Sequence, residues 1–408
     1  MRDHTALESV TEEIGIPTAG RGFVDEPVEQ TAPATGLRIL YSGPLDGTSL
    51  QRAERLRDLS ADFIHVRSGL PTVQDPTFQF HRIANRIKRH PDFYLANSRL
   101  LKLAERSTFD IVWIDKGLWL RPRTLRRLRQ LQPNARFIAH SCDDMINPEN
   151  QSARYLEGVP LYDLHVTTKS YNISELEALG ARSAMFLDNS YDPEVHRPVE
   201  PTAEERERLG AEVGFIGGYE DDRAQMMLRL AQAGIPVTVR GPEWGRMMKA
   251  SHPNLRILDD WMDSHDYPRS LAATRINLGF LRKCNRDLQT TRSVEIPACR
   301  SFMLAERTDE HQRLFREGVE AEFFGDFDEL VEKCRFYLAN ENERLKIAER
   351  GHRRCVRGGY TYEQRIRGVV EAAMPLAPQQ REEAAPLAFP ELGIVHRALA
   401  SASILFRG

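Results

Sequence analysis

The stretch INLGFLRKCNRDLQTTRSVEIPAC, residues 276–299, starts with an apolar run and ends in a short segment that contains Pro297. The run predicts a buried strand, and the polar residues after it predict a loop. Proline is tolerated near the start of a helix, where its missing N–H costs little, so a short helix should begin just before Pro297. Glu295 then lies in the first helical turn, where the helix dipole favours an anion, and Asp287 lies in the loop above the strand end. The sequence therefore offers two carboxylates at one crevice.

Four cations accompany these two acids along the same stretch: Arg282, Lys283, Arg286 and Arg292. Carboxylates accept hydrogen bonds from sugar hydroxyls, and guanidinium and ammonium groups suit a diphosphate. The combination predicts a site for a nucleotide-sugar. Glu295 taken alone is also explained as a favourable acid at an ordinary helix N-terminus.

Strand-like runs alternate with helical segments through most of the chain, which predicts an α/β fold with parallel sheets. The pattern runs through residues 37–197, pauses in a proline- and charge-rich linker at 198–210, and restarts over 211–374. We expect two facing Rossmann-like domains, with the ligand in the cleft between them, beyond the carboxyl ends of the strands. Residues 1–36 are expected to form a disordered acidic tail, and 375–408 a flexible tail with a possible docking helix.

The composition excludes several classes of protein. The 408 residues have a formal net charge of −3, which gives no reason to expect binding to nucleic acid. No apolar run approaches the ~18 residues that a membrane span requires. The five cysteines follow neither a metal-binding spacing nor a disulfide framework, so the reducing cytoplasm is the expected location.

The motif around Glu295 also resembles a known pattern. Retaining glycosyltransferases of the GT-B fold carry two acids separated by seven residues, and Asp287 and Glu295 have that spacing. The second acid opens Glu-Ile-Pro-Ala-Cys-Arg, which is similar to the CgeB (spore-maturation protein) type of glycosyltransferase, related to families 1 and 4. Two residues depart from the pattern: the first acid is the shorter aspartate, and Arg300 replaces a glycine.

Further pieces resemble the same group in matching order from residue 37 to residue 374, although each is weak alone. They are FDIVWIDKG at 109–117, SCDD at 141–144, VTTK at 166–169, YDPEVHRP at 191–198, GFIGG at 214–218, RGPEW at 240–244 and YEQR at 362–365. The resemblance implies a GT-B glycosyltransferase whose first domain holds the acceptor and whose second domain holds the nucleotide-sugar.

Strand ends of the second domain supply the predicted diphosphate contacts. Gly217 and Gly218 end a strand, and glycine lets a phosphate approach the backbone. Arg223 follows them and is expected to bind the diphosphate, although a salt bridge with a neighbouring acid explains it nearly as well. Arg282 and Lys283 are further candidates, with solvated surface charge as the alternative.

Three more residues complete the predicted donor site. Gly241 ends a strand just before Trp244, where a base could stack, although a buried core tryptophan is the more ordinary explanation. By the resemblance, Glu295 would hold the ribose hydroxyls. Asp287 would hold a hydroxyl of the transferred sugar.

His140, Asp143 and Asp144 end a strand of the first domain and should face the cleft. In an inverting reaction, one of them would be the general base for the acceptor hydroxyl. A retaining reaction of the related kind needs no protein nucleophile, because the departing phosphate oxygen can take the proton, and His140 would then bind the donor sugar. A satisfied strand-end histidine and a turn formed by the two aspartates explain the same residues without catalysis.

Neither a metal nor another cofactor is expected. Asp326 and Asp328 form the only Asp-x-Asp string, and Asp326 followed by Glu329 and an apolar helix is typical of a helix cap. Arginine, lysine and helix N-termini would then neutralise the diphosphate.

The sequence thus predicts a hexosyltransferase-like enzyme, retaining and metal-independent, that moves a sugar from a nucleoside-diphosphate donor to a hydroxyl of a glycan, protein or small molecule. The alternative is a non-catalytic nucleotide-sugar-binding relative that acts as a scaffold or sensor, which Asp287 and Arg300 support. A nicotinamide-dependent enzyme is disfavoured, because residues 42–47, Ser-Gly-Pro-Leu-Asp-Gly, lack the glycine fingerprint.

Overall fold

The computed structural model describes residues 36–44, 47–69, 90–260 and 262–375. Within them the chain forms two six-stranded sheets, each built from parallel pairs of strands. The fold is therefore α/β with two Rossmann-like halves, as the alternation of strands and helices predicted. The two predicted tails lie outside the described residues, apart from residues 36 and 375.

The first sheet has the strand order β2-β1-β3-β4-β5-β6. All five residues of β3 are buried, as expected for a parallel strand covered on both faces. The strands are β1 (Arg38–Gly43), β2 (Asp62–Arg67), β3 (Ile111–Asp115), β4 (Arg136–Ser141), β5 (Leu164–Thr167) and β6 (Ala184–Phe186).

The second sheet has the order β12-β11-β10-β7-β8-β9. Strands β7 and β10 are neighbours, and the chain winds outward from them in opposite directions, which defines a topological switch point. The strands are β7 (Ala211–Ile216), β8 (Val237–Arg240), β9 (Leu255–Leu258), β10 (Thr274–Gly279), β11 (Met303–Glu306) and β12 (Glu322–Phe324).

Helices connect the strands of both halves. Those of the first half are α1 (Gly47–Asp58), α2 (Ala96–Arg106), α3 (Pro122–Leu131), α4 (Ala153–Gly158) and α5 (Asn172–Ala178). Those that follow are α6 (Ala203–Leu209), α7 (Asp221–Gln232), α8 (Trp244–Met247), α9 (Asp266–Ala273), α10 (Arg292–Ala298), α11 (Asp309–Leu314), α12 (Phe327–Ala339), α13 (Glu341–Arg357) and α14 (Tyr362–Ala373). Short 3₁₀ turns occur at Val159–Leu161 and Lys283–Asn285.

The segment predicted as a linker, residues 198–210, contains a helix, α6. A capping box starts this helix: the Thr202 hydroxyl accepts from the Glu205 backbone N–H, and the Glu205 carboxylate accepts from the Thr202 N–H. Arg269 of α9 pairs with Glu205 at 3.0 Å, which ties α6 to the second half. The proline- and charge-rich composition of residues 198–210 predicted a linker. Such a composition does not distinguish a loop from a short exposed helix, so the helix was not predicted.

The last described helix, α14, crosses back to the first half. Its apolar residues Tyr362, Ile366, Val369 and Val370 are buried in one core cluster with side chains of β1 and α1. The chain passes between the halves at Tyr191, whose backbone N–H donates to the Tyr360 carbonyl. The sequence predicted this helix but assigned it to the second domain, because an amphipathic pattern does not identify the surface that covers its apolar face.

Among the described helices, none is both long enough and apolar enough to cross a lipid bilayer.

Candidate functional site

The main cavity of the described structure lies between the two halves, at the carboxyl ends of β7 and β10. Its volume is about 840 Å³, which suits a ligand of nucleotide-sugar size. The first half contributes residues of α1, and the second half contributes the loops after its strands. Among the predicted donor residues, those that line it are Gly217, Gly218, Arg223, Gly241, Arg282 and Glu295.

Two glycines form the floor of this cavity where the loops after β7 and β8 meet. Gly241 has φ +145, and a Cβ there would lie 2.3 Å from the Gly217 carbonyl oxygen. The close approach therefore requires glycine at position 241. A Cβ at Gly218 would meet nothing within 4 Å, so its backbone borders open space.

Two arginines present unpartnered guanidinium atoms at this cavity. Arg223 is only 4% exposed, and its Nη1 donates to the Gly218 carbonyl at 3.1 Å. The Nε and Nη2 atoms of Arg223 and the Nε of Arg292 have no hydrogen-bond partner among the described residues. Burial and the neighbouring Arg292 cation lower the pKa of Arg223 to about 10. An anion bound between the two arginines would satisfy these donors and remove the repulsion.

The salt bridge offered as the alternative for Arg223 is only partly formed. Glu220 lies 3.6 Å from Arg223 but accepts a closer hydrogen bond, at 3.0 Å, from Arg282 Nε. Arg282 is exposed at the cavity rim, while Lys283 pairs with Glu306 and does not line the cavity. The geometry therefore favours Arg223 and Arg292, rather than Lys283, as anion ligands.

Glu295 lies in α10 and faces the same cavity. Its Oε2 accepts from the Tyr267 hydroxyl at 2.7 Å, and its Oε1 lies 3.6 Å from Nε2 of His196. The Glu295 carboxylate is thus held in place with free acceptor capacity.

Trp244 is fully buried and donates to the Gly217 carbonyl at 2.7 Å, so it belongs to the core rather than to a stacking surface.

Asp287 has a different environment from the one predicted. Its carboxylate accepts from Lys169 Nζ at 2.6 Å and from Asn285 Nδ2 at 2.7 Å. Lys169 follows β5 of the first half, and both side chains of the ion pair are 4% exposed. Asp287 does not line the main cavity. In this conformation it joins the two halves instead of facing a sugar.

Asp144 also joins the halves. Arg286 donates to it from Nε at 2.6 Å and from Nη2 at 2.9 Å, and the same guanidinium contacts Glu175 at 3.0 Å. Burial would raise the pKa of Asp144, but hydrogen bonds from Arg286 and Asn172 hold it below its usual value. This carboxylate is fully buried and fully paired, and it lines neither of the two larger cavities.

A second cavity, of about 320 Å³, adjoins the first half at the carboxyl ends of β1, β3 and β4. His140 lines it, and its Nδ1 lies 3.3 Å from Asp115 Oδ1. Burial and the nearby Arg52 cation lower the pKa of His140, so the imidazole is neutral at pH 7. Asp115 itself is paired with Arg52 at 2.7 Å. Thr48 lines both cavities, which makes them neighbours.

Asp143 lines the second cavity together with Lys116, its ion-pair partner. Burial would raise the pKa of Asp143, but the charge and the hydrogen bond of Lys116 act against burial, and the pKa lies below its usual range. Arg282 lowers it further, which indicates that the second cavity lies within electrostatic reach of the main cavity. Asp143 is therefore ionised at neutral pH.

One group of described residues has the composition of a metal site: Asp263, His265 and Asp266. The Asp263 carboxylate accepts from the backbone N–H groups of the other two, and Asp266 pairs with Arg208 at 2.6 Å. These contacts explain the cluster as the start of α9. Asp326 caps α12 through the Glu329 N–H, as predicted.

Several residues of the site were not assigned from the sequence: Arg292, Tyr267, His196, Lys169 and Asp115. Arg292 was noted as a cation near the acids, and its spacing from Glu295 on one helix was the available signal. His196 lies in the family-like piece YDPEVHRP, but neither His196 nor Tyr267 could be given a role from the sequence, because both contact Glu295 only through tertiary packing.

A family model described as glycosyl transferase-like matches residues 223–371, which is less than half of the chain. The match starts at Arg223 and includes Glu295. No curated protein matches the sequence.

Three solved structures of similar fold are distant from this chain in sequence. HepE of Anabaena, in complex with UDP and glucose, is 12% identical, with a TM-score of 0.54 over 82% of this chain and 100% of the HepE chain. Sucrose-phosphate synthase of Thermosynechococcus elongatus is 12% identical, with a TM-score of 0.55 over 83% of this chain and 99% of its own. A trehalose-6-phosphate synthase, described as transferring a glycosyl group with retention, is 13% identical, with a TM-score of 0.57 over 84% of this chain and 100% of its own. The fold is that of the GT-B glycosyltransferases.

Proposed function

We propose that this chain is a glycosyltransferase of the hexosyltransferase kind, which moves a sugar from a nucleoside-diphosphate donor to a hydroxyl acceptor. The observation that carries the proposal is the pair Arg223 and Arg292, whose unpartnered guanidinium atoms border a cavity of about 840 Å³. Buried guanidinium N–H groups without an acceptor are costly, and an anionic ligand bound between the two arginines would pair with them. The carboxylate of Glu295 lines the same cavity and suits the hydroxyls of a ribose.

The donor would lie with its diphosphate between Arg223 and Arg292 and its ribose at Glu295. The acceptor would enter through the second cavity, beside His140 and Asp143. HepE has been solved with UDP-glucose, which makes UDP-sugars the first donors to test. The short motif after Glu295 supports a CgeB-type enzyme, and the five free thiols suit the reducing cytoplasm.

We propose a retaining reaction without a metal. The neutral imidazole of His140 would bind a hydroxyl of the donor sugar, and the leaving phosphate oxygen would take the proton of the acceptor hydroxyl. The two arginines would stabilise the negative charge that develops on the leaving diphosphate, which is the task of a divalent ion in metal-dependent transferases.

Thermal unfolding with a panel of nucleoside diphosphates and nucleotide-sugars tests the donor site, with and without EDTA. A ligand that binds the native state raises Tm by mass action. We expect one diphosphate series to raise Tm equally with EDTA, and Arg223→Gln to abolish the rise. The absence of any response would contradict the proposal, and a response lost with EDTA would contradict the metal-free reaction.

The scaffold or sensor alternative keeps one observation in its favour. Asp287, the residue expected to hold the transferred sugar, is paired with Lys169 outside the main cavity. Release of free nucleoside diphosphate from the donor that gives the largest Tm shift separates the two functions. Turnover supports the transferase, whereas tight binding with no turnover in the presence of any hydroxyl acceptor supports the scaffold.

A further inference from the structure

The carboxylate of Glu295 is oriented by two residues from other parts of the chain. The Tyr267 hydroxyl, at the start of α9, donates to Oε2 at 2.7 Å. Burial and the Glu295 charge raise the pKa of Tyr267 well above its ordinary value, so the hydroxyl keeps its proton and remains a donor. The position of this carboxylate is therefore fixed from outside its own helix.

The second residue, His196, lies in the connection that leads out of the first half. The backbone N–H of Asp192 donates to Nδ1 of His196 at 3.0 Å, so Nδ1 is an acceptor and the ring N–H is on Nε2. Nε2 lies 3.6 Å from Glu295 Oε1, too far for a direct hydrogen bond. The His196 ring also packs edge-on against the Tyr267 ring, with centroids 5.7 Å apart.

This arrangement leaves acceptor capacity at Glu295 but no donor capacity. A carboxylate oxygen has two lone pairs, and the tyrosine uses one of those on Oε2. Glu295 lines the same cavity as Arg223 and Arg292, whose unpartnered guanidinium atoms suit a diphosphate. A ligand that satisfies both features carries a diphosphate at one end and adjacent hydroxyls near it.

We propose that Tyr267 and His196 are positioning residues for Glu295, and that the three together select ribonucleotides over 2′-deoxyribonucleotides. The inference rests on the proposed function. A rigid carboxylate accepts from the 2′ and 3′ hydroxyls at once, and a 2′-deoxyribose leaves one acceptor without a partner inside a buried site. Discrimination depends on this rigidity, because a carboxylate free to rotate would turn to accept from the 3′ hydroxyl alone.

Calorimetric titration with pairs of ribo and 2′-deoxy nucleotides tests the inference. The ligands are UDP with 2′-deoxy-UDP and dTDP, and ADP, GDP and CDP with their 2′-deoxy forms. We expect the wild type to bind the ribo form of its preferred base about tenfold more tightly than the deoxy form, the value of one hydrogen bond to a charged group. In Tyr267→Phe, affinity for the ribo form should fall nearly to that of the deoxy form, while affinity for the deoxy form stays nearly constant. His196→Gln should reduce the ratio in the same direction.

The control is Tyr337→Phe, a change at a buried tyrosine of α12 that does not line the cavity. We expect it to keep the wild-type ratio of ribo to deoxy affinity. Equal weakening of the ribo and the deoxy form by Tyr267→Phe would show a merely structural role for Tyr267 and overturn the inference. Equal wild-type affinity for UDP and dTDP, together with equal affinity for the ribo and deoxy forms of every base, would overturn it as well. A wild type that binds no nucleotide would instead overturn the proposed function.

Discussion

At the scale of single residues, the two arginines of the main cavity make the clearest demand for a ligand. Each carries a full charge, and the Arg292 cation helps to lower the pKa of Arg223. The free protein therefore carries an electrostatic cost that a diphosphate would relieve. The repulsion between Arg223 and Arg292 in the ligand-free protein therefore favours the binding of an anion.

Arg292→Gln should weaken binding of a nucleoside diphosphate by about tenfold or more, since a hydrogen bond to a charged group contributes roughly 1.5–3 kcal/mol. Binding of the corresponding nucleoside should stay the same, because it has no phosphate. The melting temperature of the ligand-free protein should not fall, since one of two repelling cations is removed. Calorimetry and thermal unfolding measure both effects. Arg256→Gln, on an exposed part of β9, is the control, and equal loss for nucleoside and diphosphate would contradict the role.

The pair Lys169 and Asp287 leads to a second prediction at this scale. Asp287→Asn should lower the free energy of unfolding by about 3–5 kcal/mol, because it leaves a buried ammonium without its counter-charge. Lys169→Met combined with Asp287→Asn should recover most of this loss. Urea unfolding measures both variants. If Asp287→Asn leaves stability unchanged but abolishes turnover, the aspartate serves the sugar, as the sequence first indicated.

These residues also show how far a sequence can define a site. The sequence placed Glu295, Arg223 and Gly241 together because each follows a strand of a parallel sheet and such positions converge at one edge, and all three line the main cavity. The partner of Asp287 was not found, since Lys169 belongs to the other half and no local pattern connects them. The motif spacing was present, but it did not reveal which neighbour the acid contacts.

At the scale of elements, the loops after β7 and β8 have to pass very close to each other. Gly241→Ala should lower stability by about 1–3 kcal/mol, because it combines a strained φ with a Cβ 2.3 Å from the Gly217 carbonyl oxygen. Gly218→Ala is the matched control, since its Cβ meets nothing and its φ is not positive. Urea unfolding of the two alanine variants should separate them clearly. Equal stability would show that the loops can move apart without cost.

Periodicity identified most elements, because apolar runs in a parallel sheet are nearly continuous. The run at 276–281 predicted β10, which is observed at Thr274–Gly279. Helix α6 was missed although its capping box, Thr202 with Glu205, can be read in the sequence. Helix α6 has one buried residue, Leu209, so its apolar periodicity is too weak to predict a helix. The prolines before it favoured the prediction of a loop.

At the scale of the whole molecule, carboxylates of the first half pair with arginines of the second. Asp144 binds Arg286, and Asp188 contacts Arg313 at 2.5 Å. Burial would raise the pKa of Asp188, but the hydrogen bonds from Arg313 and Gln289 keep it below the ordinary value. These ion pairs join the two halves.

Acid should weaken this arrangement. A carboxyl whose pKa is lower in the folded protein contributes stability above its unfolded pKa of about 3.9 and loses it as the pH falls through the folded value. We therefore expect the unfolding free energy to decrease below about pH 4. Arg286→Gln should be less stable at pH 7 and should show a shallower decrease, because Asp144 has lost its partner. Urea unfolding between neutral and acid pH measures the slopes, and identical slopes would contradict the role of this pair.

Helix α14 has a consequence for how the protein is made. The sheet it covers begins at Arg38, yet the helix itself comes from Tyr362–Ala373, near the end of the described chain. A ribosome therefore releases the first half with an uncovered apolar face and must synthesise the whole second half before that face can close. A premature stop before Tyr362 would damage the half that was translated first, while leaving both sheets complete in sequence.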